Sequence, residues 1–174
     1  TEQLNRQWYE RNTGQLIKDA QRQVRHPMVG WIGATLDGLV EGTGAVFEAK
    51  FMLPWSFSEE AAADKHMAQL QHNMWVTNAK AAVLSIITGG DKWVEISIAA
   101  DSLYQHVLLT AEKKFWRCVE SGEPPRLFDA EPPRPRTSWT TTAYPARAPR
   151  RTVGSEPEAM TSSLPYGVRI TRTG

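Results

Sequence analysis

Polar and apolar positions alternate with two different periods along the first 125 residues, and each change of period marks an element. Glu2 to Thr13 places Leu4, Trp8 and the stem of Arg11 on one side at helical spacing, and Gly14 stops the run, which predicts a helix. Gln15 to Arg25 has the alternating character of a strand. Trp31 to Thr35 reads as a short apolar strand ending at an Asp37-Gly38 turn. Ala45 to Phe51 reads as the next strand, with Glu41-Gly42-Thr43-Gly44 as the hairpin between them. Ser56-x-x-Glu59 matches a capping box and opens a long helix to about Val76, with Ala63, Met67, Leu70 and Met74 as its apolar stripe. Two further strands, Ala82 to Ile87 and Lys92 to Ile98, flank a Thr88-Gly89-Gly90-Asp91 turn. Asp101 caps a last helix that runs to Ser121 and stops at Gly122. The order α, three strands, α, two strands, α predicts a mixed α/β domain.

The pattern ends near Glu123-Pro124-Pro125. Nine of the 11 prolines lie from Pro124 onward, among many Arg, Thr, Ser and Ala, so residues 126–174 read as a Pro/Arg-rich tail, disordered or extended, attached to a core of residues 1–125. Charge divides at the same place. Through Glu123 there are 12 Lys+Arg against 15 Asp+Glu; beyond it, 8 Arg face 4 acids. The core is therefore not basic overall, and nucleic-acid binding would need a local groove, a cation, or an oligomer that pools positive surface. An arginine-rich tail can touch nucleic acid, but a solvated appendage has the same composition. No run approaches eighteen apolar residues, which argues against a membrane span, and no basic-then-apolar leader is visible. The chain starts at Thr1, which reads as a fragment, a processed form or a trimmed form. The one cysteine, Cys118, excludes an internal disulfide framework and fits a reducing cytoplasm; beside Phe115, Trp116 and Val119 it reads as a buried packing residue.

Candidate chemistry concentrates in two acidic positions eleven residues apart, Asp37 in Gly33-Ala34-Thr35-Leu36-Asp37-Gly38 and Glu48 in Val46-Phe47-Glu48-Ala49-Lys50. Strand alternation puts Glu48 and Lys50 on one face and Phe47 and Ala49 on the other. Two carboxylates with an ammonium alongside can hold a hard divalent cation and steady a developing negative charge, which is equipment for metal-assisted phosphodiester hydrolysis. The Ala49 carbonyl can add an oxygen ligand. Glu2 is a further acid, although a first-turn helix acid has an ordinary reason to exist in the helix dipole. On the long helix, His66, Gln69 and Asn73 share a polar stripe, whereas Gln71 flanks the apolar one. Gln69 and Gln71 are about 200° apart, so only one of them can face a given site: Gln69 suits a wet groove, and Gln71 suits a position near the core. Scattered histidines and one cysteine speak against zinc. A Gly-Lys-Ser/Thr phosphate loop and a Gly-x-Ser-x-Gly elbow are both missing from the sequence.

His66-Met67-Ala68-Gln69-Leu70-Gln71-His72-Asn73-Met74-Trp75-Val76-Thr77, with Thr35-Leu36-Asp37-Gly38 and Phe47-Glu48-Ala49-Lys50, resembles the YqaJ viral recombinase family, which includes the lambda-type alkaline exonuclease within the PD-(D/E)XK nuclease superfamily. The order of motifs matches as well, and the resemblance covers roughly Glu2 to Pro125. It implies a restriction-endonuclease-like PD-(D/E)XK core, a mixed central sheet flanked by helices. It also implies Asp37, Glu48 and the Ala49 carbonyl as metal ligands, with Glu2 assisting. Lys50 would position the attacking water, Gln69 would contact the substrate or the catalytic centre, and Thr35, His66, Gln69 and Gln71 would bind substrate. The expected activity is Mg²⁺-dependent degradation of double-stranded DNA from an end, 5′ to 3′, with Mn²⁺ substituting. The expected partners are a single-strand annealing protein and two further copies in a homo-trimer, in the cytoplasm of a bacterial or phage-infected cell. Leu36 stands where the family commonly has proline, and the family's upstream helices would precede Thr1. The alternatives are a non-catalytic DNA-binding or assembly module of the same fold, which would bind DNA without cleaving it, and a PD-(D/E)XK endonuclease, which would cut closed circular DNA.

Overall fold

Val46–Met52, Ala81–Thr88 and Lys92–Ala99 are strands in which one apolar side chain points up and the next points down, and this alternation builds two cores. In chain order the elements of the computed structural model are α1 (Glu2–Thr13), β1 (Ile17–Lys18), β2 (Arg22–Arg25), β3 (Gly33–Leu36), β4 (Gly38–Val40), β5 (Val46–Met52), α2 (Glu59–Thr77), β6 (Ala81–Thr88), β7 (Lys92–Ala99), α3 (Ser102–Ser121), β8 (Trp139–Tyr144) and β9 (Arg169–Thr171), with a short 3-10 turn at Pro54–Ser56. The structure describes residues 1–89, 92–125, 139–144 and 169–171. One mixed sheet has the order β1-β4-β5-β6-β7-β8-β9, and β2 and β3 form a separate two-stranded ribbon. Among the described strands only β5 and β6 run parallel, with α2 as the crossover that joins them.

The even-numbered side chains of the central strands, among them Val46, Leu84, Ile86, Val94, Ile96 and Ile98, pack with Met67, Leu70 and Met74 of α2. The odd-numbered Phe47, Ala49, Val83 and Trp93 pack with Tyr9 of α1 on the other face. Each such fully buried large side chain contributes about 1.5–3 kcal/mol. Tyr9 lies edge-on to Trp93 and tilted against Phe47, which fixes α1 across the centre of the sheet.

Several expectations are corrected. The buried positions of α1 are Asn5 and Tyr9, while Leu4 and Trp8 are exposed. The segment Gln15 to Arg25 is two strands in two different sheets, because Asp19 and Gln21 take left-handed backbone angles between them (φ 55° and 59°). The hairpin partner of β5 is β4, not β3, which pairs with β2. Asp37-Gly38 is not a turn: Gly38 is a strand residue, and a Cβ there would fall 2.2 Å from Ile17 Cγ2, so β1 can approach only a glycine. The α2 cap is Ser58, which accepts from the Ala61 amide, rather than Ser56. Cys118 is half-buried, and no side chain of α3 is fully buried. The Thr88-to-Asp91 turn extends to residues 90 and 91, which lie outside the described residues. Much of the segment 126–174 does too, though within it β8 pairs with β7 and β9 pairs with β8.

α3 is fastened by polar contacts. Asp101 caps it through the Leu103 and Tyr104 amides. His72 of α2 sits between Glu112 Oε1, 2.6 Å from Nδ1, and the Gly33 carbonyl, 3.1 Å from Nε2. Both ring nitrogens thus face acceptors, an arrangement that only the doubly protonated imidazolium satisfies. The Glu112 hydrogen bond raises the His72 pKa above its ordinary value, burial works against it, and the Gly33 carbonyl adds to the rise. A raised folded-state pKa stabilises the fold fully below about 6.5, the unfolded value, and that contribution is lost as pH rises through the folded pKa. Urea unfolding of the wild type is expected to lose stability upward from about pH 6.5, and His72→Gln is expected to remove that part of the slope. Identical pH profiles for the two proteins would refute the clamp.

Candidate active site

β5 outruns its neighbour. Gly38 pairs with Phe47, and from Glu48 onward the β4-side edge of β5 has no partner in that ladder. Asp37, the residue just before β4, fills the gap by accepting the Ala49 N–H at 2.9 Å through Oδ2. The amide and carbonyl of one strand residue project to the same edge, so the Ala49 carbonyl also points toward Asp37.

Glu48 is 2% exposed, on the α2 face of the sheet. Its Oε1 accepts from Lys50 Nζ at 2.5 Å and from Gln69 Nε2 at 2.7 Å. Its Oε2 is buried with no hydrogen-bond partner among the described residues. Burial pushes the Glu48 pKa up, the Lys50 hydrogen bond opposes that, and the negative charge of Asp37 raises it further. Two carboxylates and one ammonium leave an uncompensated negative charge at this point. His66, one turn before Gln69 on α2, is held below the ordinary histidine range by burial and by the charges of Lys50 and Lys65, so it is neutral at pH 7.

Glu2 approaches from α1. Gln21 joins it to the centre, donating from Nε2 to Glu2 Oε2 at 2.7 Å and, more weakly, to Asp37 Oδ1 at 3.4 Å. The structure thus brings Glu2, Asp37, Glu48, Ala49, Lys50 and Gln69 together, with His66 close enough to feel the Lys50 charge. Thr35 is exposed on β3, two residues before Asp37. Gln71 leaves the set: it is completely enclosed, donates to the Ala99 carbonyl at 2.9 Å and accepts from the Asp101 amide, so it ties α2 to the start of α3 and cannot touch a substrate.

The donor set fits a hard cation. Its signature is the orphaned buried oxygen of Glu48 beside the Asp37 carboxylate and a free-edge carbonyl. Among the described residues no group of three or more His, Cys, Asp or Glu side chains is placed to hold a metal ion. An open set of one or two carboxylates, completed by substrate phosphate, is how Mg²⁺ is ordinarily held.

Sequence reasoning missed Gln21 and Asn5. The signal for Gln21 is the broken alternation at Asp19-Ala20-Gln21. Asn5 is buried in α1 and donates to the Lys50 carbonyl at 3.0 Å and the Ser85 carbonyl at 2.8 Å; it accepts from Ser85 Oγ, which in turn accepts from Trp93 Nε1. It locks the backbone of β5 at the residue that supplies the ammonium.

Comparison with known proteins fits this geometry. Residues 1–80 match the family model of the YqaJ-like viral recombinase domain, as the sequence motifs led us to expect. YqaJ of Bacillus subtilis (strain 168) is 26% identical over 125 residues, 68% of this chain; the chain spans 39% of that relative's length. An alkaline exonuclease (LHK-Exo) from Laribacter hongkongensis matches in structure with a TM-score of 0.58 at 20% identity, over 70% of this chain and 66% of that one. The fold is therefore of the restriction-endonuclease-like PD-(D/E)XK type, a mixed sheet flanked by helices.

Replacing Asn5 with alanine would remove the side-chain donor to the Lys50 and Ser85 carbonyls and the acceptor of the Ser85 hydroxyl. Asn5→Ala is expected to cost on the order of 3 kcal/mol in urea unfolding, with the denaturant slope unchanged. A loss under about 0.5 kcal/mol, the range of ordinary surface substitutions, would show that the network is not structural.

Proposed function

We propose that residues 1–125 form the catalytic core of a metal-dependent deoxyribonuclease, an exonuclease that degrades double-stranded DNA from an end, 5′ to 3′, in phage-type recombination. The observation that carries the reading is the buried Glu48 carboxylate, with one oxygen braced by Lys50 and Gln69 and the other without a partner among the described residues, beside Asp37. Of residues 126–174, β8 and β9 extend the sheet of that core beyond β7.

Asp37, Glu48 and the Ala49 carbonyl would hold Mg²⁺, with Mn²⁺ as a substitute and Glu2 as an outer acid. The ion would neutralise charge on the scissile phosphate and lower the pKa of a bound water. Lys50 keeps its ammonium against Glu48 while remaining partly open to solvent, so it can also steady negative charge that grows on the phosphate. Gln69 fixes the rotamer of Glu48. His66 is a neutral hydrogen-bonding group at the rim, and Thr35 presents a hydroxyl on the approach to Asp37. Among the described residues no helix is long and apolar enough to cross a membrane. Action on DNA in the cytoplasm of a bacterial or phage-infected cell, assembly as a homo-trimer, and work beside a single-strand annealing protein complete the proposal.

Linear duplex DNA should be degraded with Mg²⁺ and spared with EDTA. Asp37→Asn, Glu48→Gln and Lys50→Met should each lower the rate by roughly 100-fold or more while remaining folded. Mg²⁺ should raise the melting temperature of the wild type and have much less effect on Asp37→Asn. Wild-type cleavage by Asp37→Asn would end the assignment, and cutting of closed circular DNA would move it to an endonuclease.

A further inference from the structure

We infer that the outward face of the β2–β3 ribbon, through Gln23 and Arg25, is a phosphate-tracking surface that leads one DNA strand to Asp37. This inference rests on the nuclease reading and assigns part of its substrate path.

The ribbon is two four-residue strands paired as Arg22↔Leu36, Gln23↔Thr35, Val24↔Ala34 and Arg25↔Gly33. Alternation gives it two unlike faces. Val24, Ala34 and Leu36 point inward and pack against the core that α2 covers. Gln23, Arg25 and Thr35 point outward and are exposed, and Gly33 opposite Arg25 carries no side chain. Neither strand contains an acid. Arg22 is engaged at the base of the ribbon, 3.1 Å from Asp19. Arg25 has no carboxylate partner among the described residues; its guanidinium reaches only the Gly30 carbonyl, at 3.5 Å, the limit of a hydrogen bond. A guanidinium that is exposed and unpaired, in a core with more acids than bases, is a local positive feature of the kind such a core needs to hold a polyanion.

Position supplies the second argument. β3 ends at Leu36, and Asp37 follows immediately. A strand advances about 3.4 Å per residue, so the Gln23/Thr35 row lies roughly 7 Å and the Arg25 row roughly 14 Å back from Asp37 along the ribbon. A single polymer strand lying along this face would meet an amide, a hydroxyl and a guanidinium before reaching the carboxylates. These groups suit phosphate oxygens: Arg can bond them in bidentate fashion, and Gln and Thr supply neutral donors that carry no sequence information. The arm is rigid. His72 grips the Gly33 carbonyl, and the connecting loop closes through His26 N–H to the Ile32 carbonyl at 3.0 Å and Ile32 N–H to the Val29 carbonyl at 3.0 Å.

The test is binding of a linear duplex oligonucleotide in EDTA, measured against salt, with cleavage in Mg²⁺ followed separately. Arg25→Glu should weaken binding roughly tenfold or more, and Arg25→Ala should reduce the log–log salt slope by about 0.9. Gln23→Ala should weaken binding with little change of slope, and Arg25→Lys should retain the slope. Arg117→Ala, an exposed arginine on α3, should bind as the wild type does. Wild-type binding by Arg25→Glu overturns the inference, as does equal loss from Arg117→Ala or an inability of the wild type to bind duplex DNA. The two readings separate cleanly: undiminished binding by the ribbon variants, with cleavage abolished by Asp37→Asn, retires the ribbon and keeps the nuclease. Ribbon-dependent binding without cleavage by the wild type does the reverse.

Discussion

The constraint on which the rest of the structure depends is the burial of one carboxylate. Glu48 lies in the middle of a strand, among the buried apolar residues Val46, Phe47 and Ala49, and it is almost wholly removed from water. A buried charge of this kind costs several kcal/mol unless other groups compensate it. Strand alternation brings Lys50 to the same face, and the crossover helix supplies Gln69. Both of these donors go to one oxygen. The other oxygen is buried without a partner among the described residues, and burial and then the negative charge of Asp37 raise the pKa of the group. The protein therefore holds a deficit of positive charge in a fixed place, where a cation is worth most because the surroundings screen it least.

Supplying Gln69 obliges α2 to serve two sites at once. The helix must face the sheet with Met67, Leu70 and Met74, which leaves its flanks to be used independently. Gln69 lies on the flank toward β5. Gln71, about 200° away, lies on the other and bonds the Ala99 carbonyl and the Asp101 amide. His72 continues that second role by clasping both Glu112 and the Gly33 carbonyl. One helix thus orients the carboxylate, secures α3 and steadies the ribbon that ends at Asp37.

The local parts of this arrangement were legible in the sequence, and the long-range parts were not. Alternation alone placed Glu48 with Lys50, because a period of two holds within any strand. Gly14 and Gly122 marked helix ends because both take left-handed angles that other residues avoid. Pairing partners were misread where two short strands compete for one neighbour: the sequence cannot distinguish β3 from β4 as the strand beside β5, since both are brief and apolar. Gly38 looked like a turn residue, but its reason is Ile17, twenty-one positions earlier. The buried face of α1 was misread because Asn5 counts as polar on any scale, and its burial is explained only by carbonyls 45 and 80 residues away. The family motifs lay in the segments that carry Asp37, Glu48, Lys50 and Gln69, which is why the proximity of these residues was more legible than the pairing of the strands around them.

Gln21 shows how the deficit at Glu48 and Asp37 is ordered without being cancelled. Its backbone is left-handed, a conformation that costs a non-glycine residue on the order of 1 kcal/mol and persists only where surrounding contacts enforce it. What the turn achieves is to aim one amide between Glu2 and Asp37, an acid of α1 and the acid just before β4. A lysine or arginine in that place would draw the same acids together more strongly, but it would also fill the role of the missing positive charge. A neutral donor sets their positions and leaves their charge intact. The same logic applies to Gln69 on Glu48: an amide fixes the carboxylate's orientation while the charge stays available. Among the described residues, Lys50 is the cationic side chain that bonds Glu48, and it is directed to the oxygen that Gln69 already occupies. Order supplied by amides, with neutralisation left incomplete, is the physical arrangement that a cation-dependent centre requires.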